Sequence, residues 1–228
     1  MIQALIFDFD GLILDTETPL LRSWCEIYEQ AGLIVCRESW AGLLGATADP
    51  PQAYELLEDH LGHPVDREAL RERRFARELE LLRGEPAMEG VIDLLSEASA
   101  RRLLLAVASS SERSWVEGHL RSLGIYDRFR AVITADDVER TKPAPDLYAQ
   151  ALQALDTHPR DAIAFEDSLH GVRAAKSAGL FVVAVPNEVT RHLAMPEADL
   201  VVNSIAELML DDYVALAEAR RAQDGERT

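Results

Sequence analysis

Ala4-Leu5-Ile6-Phe7-Asp8-Phe9-Asp10-Gly11 opens the chain with four apolar residues that stop at two acids and a glycine. A short apolar run with such a boundary reads as a strand buried on both faces. Asp8 and Asp10, two residues apart, project from the same side of an extended backbone. Adjacent anions repel, so the pair persists around a cation or with one carboxyl protonated. Either state suits phosphoryl transfer, in which one carboxylate attacks phosphorus and its neighbour protonates the leaving oxygen. The plain alternative is an acidic turn closed by Gly11.

Outward from this stretch, short apolar runs recur at 103–108, 131–134, 162–165, 181–185 and 200–202, alternating with helical patterns. That rhythm predicts an α/β fold, a Rossmann-like parallel sheet covered by helices. Nearly a hundred residues separate the first two runs, whereas the later ones lie one crossover helix apart. The long gap carries helical periodicity, as in Leu21, Trp24, Ile27, Tyr28 and Ala31, and no strand pattern. We therefore expect an inserted helical cap at 16–83 and a catalytic core made of 1–15 and 84–228, with Gly84-Glu85-Pro86 returning the chain to the core. In the cap, Trp24, Tyr28, Trp40 and Tyr54 are expected to pack helices together. The arginines between Arg67 and Arg74 alternate with acids and read as a solvated helix face. The charged tail 220–228 reads as frayed.

The chain has 228 residues, 48% of them hydrophobic, and a net charge of -17. Such an acidic chain repels nucleic-acid phosphates and anionic membrane surfaces, so neither is an expected partner. The same field repels a phosphorylated metabolite, which therefore needs a local cation or metal. The apolar runs fall far short of the roughly 20 residues that span a membrane, and the start lacks the pattern of a secretion signal. A soluble, cytoplasmic protein is expected, with Cys25 and Cys36 as reduced thiols.

Glu166-Asp167 follows the run 162–165 as Asp8 follows the first strand. Ligands of open parallel sheets bind at the carboxyl ends of strands, so both acidic pairs can converge there. Four carboxylates together call for a hard cation, and magnesium is the economical choice beside phosphate. Helix capping by Glu166, Asp167 or Ser168 is the alternative. Ser109-Ser110-Ser111 empties from the run 103–108 and offers hydroxyls and amides to an anion, although serines also simply cap helices. Lys142, before Pro143-Ala144-Pro145, is one of two lysines among 23 basic residues. Its compact ammonium suits a carboxylate and a phosphoryl oxygen together. An exposed loop lysine is the alternative, and Lys176, in a helical pattern, reads that way.

Together, Asp8-Phe9-Asp10-Gly11, Ser109, Lys142-Pro143 and Glu166-Asp167 resemble, in order, the four motifs of the haloacid dehalogenase superfamily. The resemblance is closest to its beta-phosphoglucomutase-like branch, through Asp15-Thr16-Glu17 and Phe165 to Ser168 with Gly171. The stretch 165–204 is similar to pseudouridine-5'-phosphatase. The resemblance implies a cap that closes over the site, Asp8 as nucleophile and Asp10 as acid and base. It also implies Mg2+ on Asp8, the Asp10 carbonyl and Asp167 with Glu166 in support, and phosphoryl oxygens on Ser109, Ser110 and Lys142. The expected substrate is a small phosphorylated metabolite, a sugar phosphate or one like a nucleoside monophosphate. His170 lies close to Asp167 in sequence, without an assigned role.

Two departures bear on the reaction. Mutases of the branch carry an arginine after a Gly-containing cap loop and a histidine shortly after the Asp-Thr pair. Here the loop reads Leu44-Gly45-Ala46-Thr47-Ala48-Asp49, and Leu20 stands where the histidine is expected. Hydrolysis is therefore expected over mutation. A true dehalogenase needs neither Asp10 nor Glu166-Asp167, a phospho-receiver carries its aspartate mid-sequence, and a scaffold would not need every acid, hydroxyl and lysine intact. The sequence names neither the metabolite nor the oligomeric state.

Overall fold

The computed structural model describes residues 1–34 and 49–225. Cys36, Trp40 and residues 44–48, named above, lie outside the described residues. The chain divides into two compact units, one of residues 1–14 and 86–228, the other of residues 15–85.

The first unit is built on six parallel strands: β1 (Ala4–Phe7), β2 (Leu104–Ala108), β3 (Ala131–Ile133), β4 (Ala162–Glu166), β5 (Phe181–Ala184) and β6 (Leu200–Val201). Their order is β3-β2-β1-β4-β5-β6. The chain thus starts at the centre, moves outward to β3, and crosses back to lay β4 against β1. The switch point of the sheet, where open α/β proteins bind ligands, falls between these two strands. Every residue of β1 is fully buried, as continuous apolar runs require of a sheet covered on both sides.

On one face, Ala4, Ile6, Ala162 and Ala164 pack with Leu147, Tyr148 and Ala151 of the helix Asp146–Ala154 and with Val172 and Ala175 of the helix Leu169–Ser177. On the other, Phe7 stacks on Phe165 at 5.0 Å, and the ring of Tyr213 meets Phe165 edge-on at 5.2 Å. Tyr213 belongs to the last helix, Leu210–Gly225, which carries order further into the tail than its composition suggested. Lys176, read from sequence as a solvated lysine, instead pairs with the half-buried Asp199 at 2.6 Å. Asp199 also accepts the amide of Val182, so the ion pair ties the helix Leu169–Ser177 to the segment between β5 and β6.

The second unit contains the helices Glu17–Gln30, Pro51–Leu61 and Arg67–Leu81, and no strand among its described residues. Trp24 stacks on Tyr28 and meets Tyr54 edge-on, and all three are buried, so these aromatics pack helices. Arg74 corrects the reading of its helix as wholly solvated. It is 2% exposed, donating to Glu78 one turn on and to Asp49 and lying over the ring of Trp24. Two carboxylates and an aromatic face offset the desolvation that alternation of charge alone does not foresee. Among the described residues no helix is long and apolar enough to cross a membrane.

Candidate active site

Strand register brings the two acidic pairs together. Phe7 is aligned with Phe165, so the next residues, Asp8 and Glu166, come side by side at the carboxyl edge of the sheet, and Asp8 N donates to Phe165 O at 3.0 Å. Ligand oxygens of Asp8, Glu166 and Asp167 lie within 4.8 Å of one another, and all three residues are buried. Lys142 Nζ stands 2.6 Å from both Asp8 Oδ1 and Glu166 Oε1.

These charges are unevenly balanced. Burial first, and then the Glu166 carboxylate, push Asp8 up to about 7 although Lys142 pulls the other way. Burial opposes the charge of Lys142, yet Asp8 and Glu166 outweigh it and hold the ammonium above its ordinary value. A buried donor set made of carboxylates with one ammonium shared between two of them fits a hard divalent cation.

The three acids are held differently. Glu166 receives the Tyr148 hydroxyl on Oε1 at 2.6 Å and the Ser168 hydroxyl on Oε2 at 3.2 Å. It sits so close to the next helix that a Cβ on Gly171 would lie 1.9 Å from its carboxylate. Both oxygens are thus engaged, which suits support of Lys142 as well as of a metal. Asp167 receives Asn187 Nδ2 on Oδ2 at 2.6 Å, and its carbonyl accepts the Thr190 hydroxyl at 2.9 Å. Gly11, at φ 74°, lets both groups approach, since its Cβ would come within 2.4 Å of Asn187 Nδ2 and of Asp167 Oδ2.

Asp10 faces the loop after β2. Its Oδ2 accepts from Ser111 Oγ at 2.6 Å and Ser109 Oγ at 3.2 Å, and its Oδ1 from Trp115 Nε1 at 2.9 Å. Ser109 is buried and receives the Ser111 amide, whereas Ser110 is exposed. The structure therefore gathers Asp8, Asp10, Ser109, Lys142, Glu166 and Asp167, with Ser110 at the rim and His170 half-buried. Sequence reasoning missed Trp115, Tyr148, Asn187 and Thr190. Asn187 and Thr190 carried a signal, since they follow β5 at the carboxyl edge where ligands bind. Trp115 and Tyr148 lie inside helical patterns and carried none.

A profile of haloacid dehalogenase-like hydrolases matches residues 5–185. The chain belongs to this family. Among its hydrolase relatives, the putative phosphatase YhcW of Bacillus subtilis is 43% identical, over 92% of this chain and 95% of its own. Beta-phosphoglucomutase of the same organism is 30% identical, over 92% of each. The solved structure of CbbY from Rhodobacter sphaeroides in complex with xylulose-(1,5)bisphosphate matches with a TM-score of 0.73 and 32% identity, covering 91% of this chain and 96% of that one. The fold is that of haloacid dehalogenase-like hydrolases, and the chain is a phosphoric monoester hydrolase of this kind.

Proposed function

We propose that the protein is a magnesium-dependent phosphatase of a small phosphorylated metabolite, acting through an aspartyl-phosphate on Asp8. The observation that carries this reading is the buried meeting of Asp8, Glu166 and Asp167, with one lysine shared by Asp8 and Glu166. In a first step an Asp8 carboxylate oxygen attacks phosphorus, the bond to the leaving oxygen breaks, and that oxygen takes the proton of Asp10. In a second, Asp10 removes a proton from water, whose oxygen attacks phosphorus. The Asp8–phosphorus bond then breaks, inorganic phosphate leaves, and both acids are restored. Lys142 offsets charge on Asp8 and on phosphoryl oxygens, and Ser109 supplies a hydroxyl to the same oxygens.

Asp8, Asp167 and the Asp10 carbonyl would hold Mg2+, with Glu166 in support. The ion supplies charge neutralisation for the phosphoryl oxygens. The 43% identity to a putative phosphatase over nearly the full length favours hydrolysis, and the CbbY complex favours a phosphorylated sugar as substrate.

The test is phosphate release from a panel of sugar phosphates, nucleoside monophosphates and small phosphoacids, with magnesium present and then chelated. Release from one class of ester, lost on chelation and restored by magnesium, is expected. No release from any ester, or full activity in excess chelator, overturns the reading.

A further inference from the structure

Trp115 lies in the helix Arg113–Ser122, outside the four sequence motifs, yet its indole N–H reaches Asp10 Oδ1 at 2.9 Å. An indole nitrogen donates and never accepts, whereas a serine hydroxyl does either. The two oxygens of Asp10 are therefore unequal. Oδ1 is committed to accepting from Trp115. Oδ2, among the hydroxyls of Ser111 and Ser109, is the oxygen that can carry a proton, because a hydroxyl can turn to accept it. Ser109 is also the hydroxyl assigned to phosphoryl oxygens, so Oδ2 is the oxygen nearer the reacting group.

The indole is itself fixed. Its ring meets His119 edge-on at 4.4 Å, and His119 stacks in turn on Phe9, next to Asp10 in the chain. The start of the helix is held by Arg113, whose amide donates to Asp136 at 2.7 Å and whose guanidinium grips both oxygens of Asp137. Asp137 is anchored at the end of β3 by the amide and hydroxyl of Thr134. A chain of contacts thus ties the indole to two strand ends. A hydrogen bond with that much support orients its acceptor more narrowly than an exposed one does.

We infer that Trp115 is a positioning residue for the acid step, turning Asp10 so that Oδ2 presents the proton to the leaving oxygen. The inference rests on the reading of Asp10 as general acid. It predicts a defect that grows with the need for a proton. Departure of 4-nitrophenolate needs little protonation, and departure of the far more basic phenolate needs much.

The experiment compares kcat/KM for 4-nitrophenyl phosphate and phenyl phosphate, esters of nearly the same shape, in the wild type, Trp115→Phe and Asp10→Asn. Because kcat/KM reports the steps up to departure of the leaving group, the later hydrolysis does not enter. Asp10→Asn should raise the ratio of the two values by about a hundredfold, within the usual range for loss of a general acid. Trp115→Phe should raise it by about tenfold, between that limit and no effect.

Where Trp115→Phe does not fold, 3-benzothienylalanine at position 115 keeps the ring shape and lacks the N–H, and the same rise is expected. An unchanged ratio in the position-115 variants, with a raised one in Asp10→Asn, overturns the role of Trp115 alone. An unchanged ratio in Asp10→Asn overturns the acid assignment, and the inference with it.

Discussion

Asn187 Nδ2 stands 2.6 Å from Asp167 Oδ2, and the amide that carries it is not able to turn around. Its other end, Oδ1, accepts from the backbone amides of Val189 at 2.8 Å and Thr190 at 3.1 Å, so the donor end faces Asp167. Groups of this kind, which orient a metal ligand from behind, are commonly worth ten- to a hundredfold in metal affinity, or about 1.4 to 2.7 kcal/mol. Asn187→Ala should weaken Mg2+ binding about tenfold. Calorimetric titration with Mg2+ measures this, and an unchanged affinity would refute the orienting role.

In the proposed mechanism the carboxylate of Asp8, at the end of β1, is the attacking group. Asp8→Asn keeps shape and removes that charge, so phosphate release from 4-nitrophenyl phosphate should fall by roughly four orders of magnitude or more. Asp10→Asn should instead slow breakdown of the intermediate as well as its formation. Acid-quenched mass spectrometry should then find a phosphoryl adduct on Asp8 in that variant, and its absence at every time point would count against the second role of Asp10.

Gly171 makes a stability prediction that is independent of chemistry. The Cβ added by Gly171→Ala would lie 1.9 Å from the Glu166 carboxylate, which is 0% exposed and fixed by Tyr148, Lys142 and Ser168. A helix interior ordinarily gains from this substitution, by up to about 1 kcal/mol. Here the clash should dominate, costing about 1 to 3 kcal/mol as overpacking does. Urea unfolding of the variant checks the sign, and a stabilised protein would mean that Glu166 lies elsewhere.

Asp8 also makes the proposed metal site sensitive to pH. In the metal-free protein burial and Glu166 raise it from 3.8 to about 7, so over that interval the folded state binds a proton that the unfolded state has lost. This contribution to stability is complete below 3.8 and is lost as pH rises through about 7. A cation that binds the carboxylate must displace the same proton. Apparent Mg2+ affinity should therefore climb by up to about tenfold per pH unit below 7 and level off above it. Titrations between pH 5.5 and 8.5 test this, and a flat profile would show that Asp8 is ionised throughout.

The sheet was legible because every strand reads as an apolar run with a polar end, and only that class of pattern suits burial on both faces. Three of the four motifs were legible for a related reason, since Asp8, Ser109 and Glu166-Asp167 stand at strand ends, and strand ends share one edge. Residues that act by reaching back from a helix were not. Trp115 and Tyr148 sit among helical residues, and nothing in their spacing tells which acid each meets. Arg74 shows the converse limit, because alternating charge predicts a wet face, and burial depends on partners distant in sequence.

The choice between hydrolase and mutase turns on a second phosphate. A mutase working through a bisphosphate must hold the distal phosphate while the intermediate turns around, and a bidentate arginine is the strong way to do so. The cap loop that carries such an arginine in mutases ends here in Asp49, and Asp49 is committed to Arg74, whose Nε lies 2.8 Å from its Oδ1. Arg74 is in turn shared with Glu78, so its guanidinium is engaged by two carboxylates rather than open to a phosphate. Leu20, where a histidine is expected, is buried and apolar. Water should thus be the acceptor from Asp8. The protein would be incubated with beta-glucose 1-phosphate, magnesium and a trace of the 1,6-bisphosphate, and glucose 6-phosphate and inorganic phosphate assayed separately. Any turnover should appear as inorganic phosphate, with glucose 6-phosphate below about a tenth of it, the margin that a transfer barrier higher by about 1.4 kcal/mol gives. Rapid glucose 6-phosphate formation with little free phosphate would establish a mutase, with the distal phosphate held by a group other than those at Asp49 and Leu20.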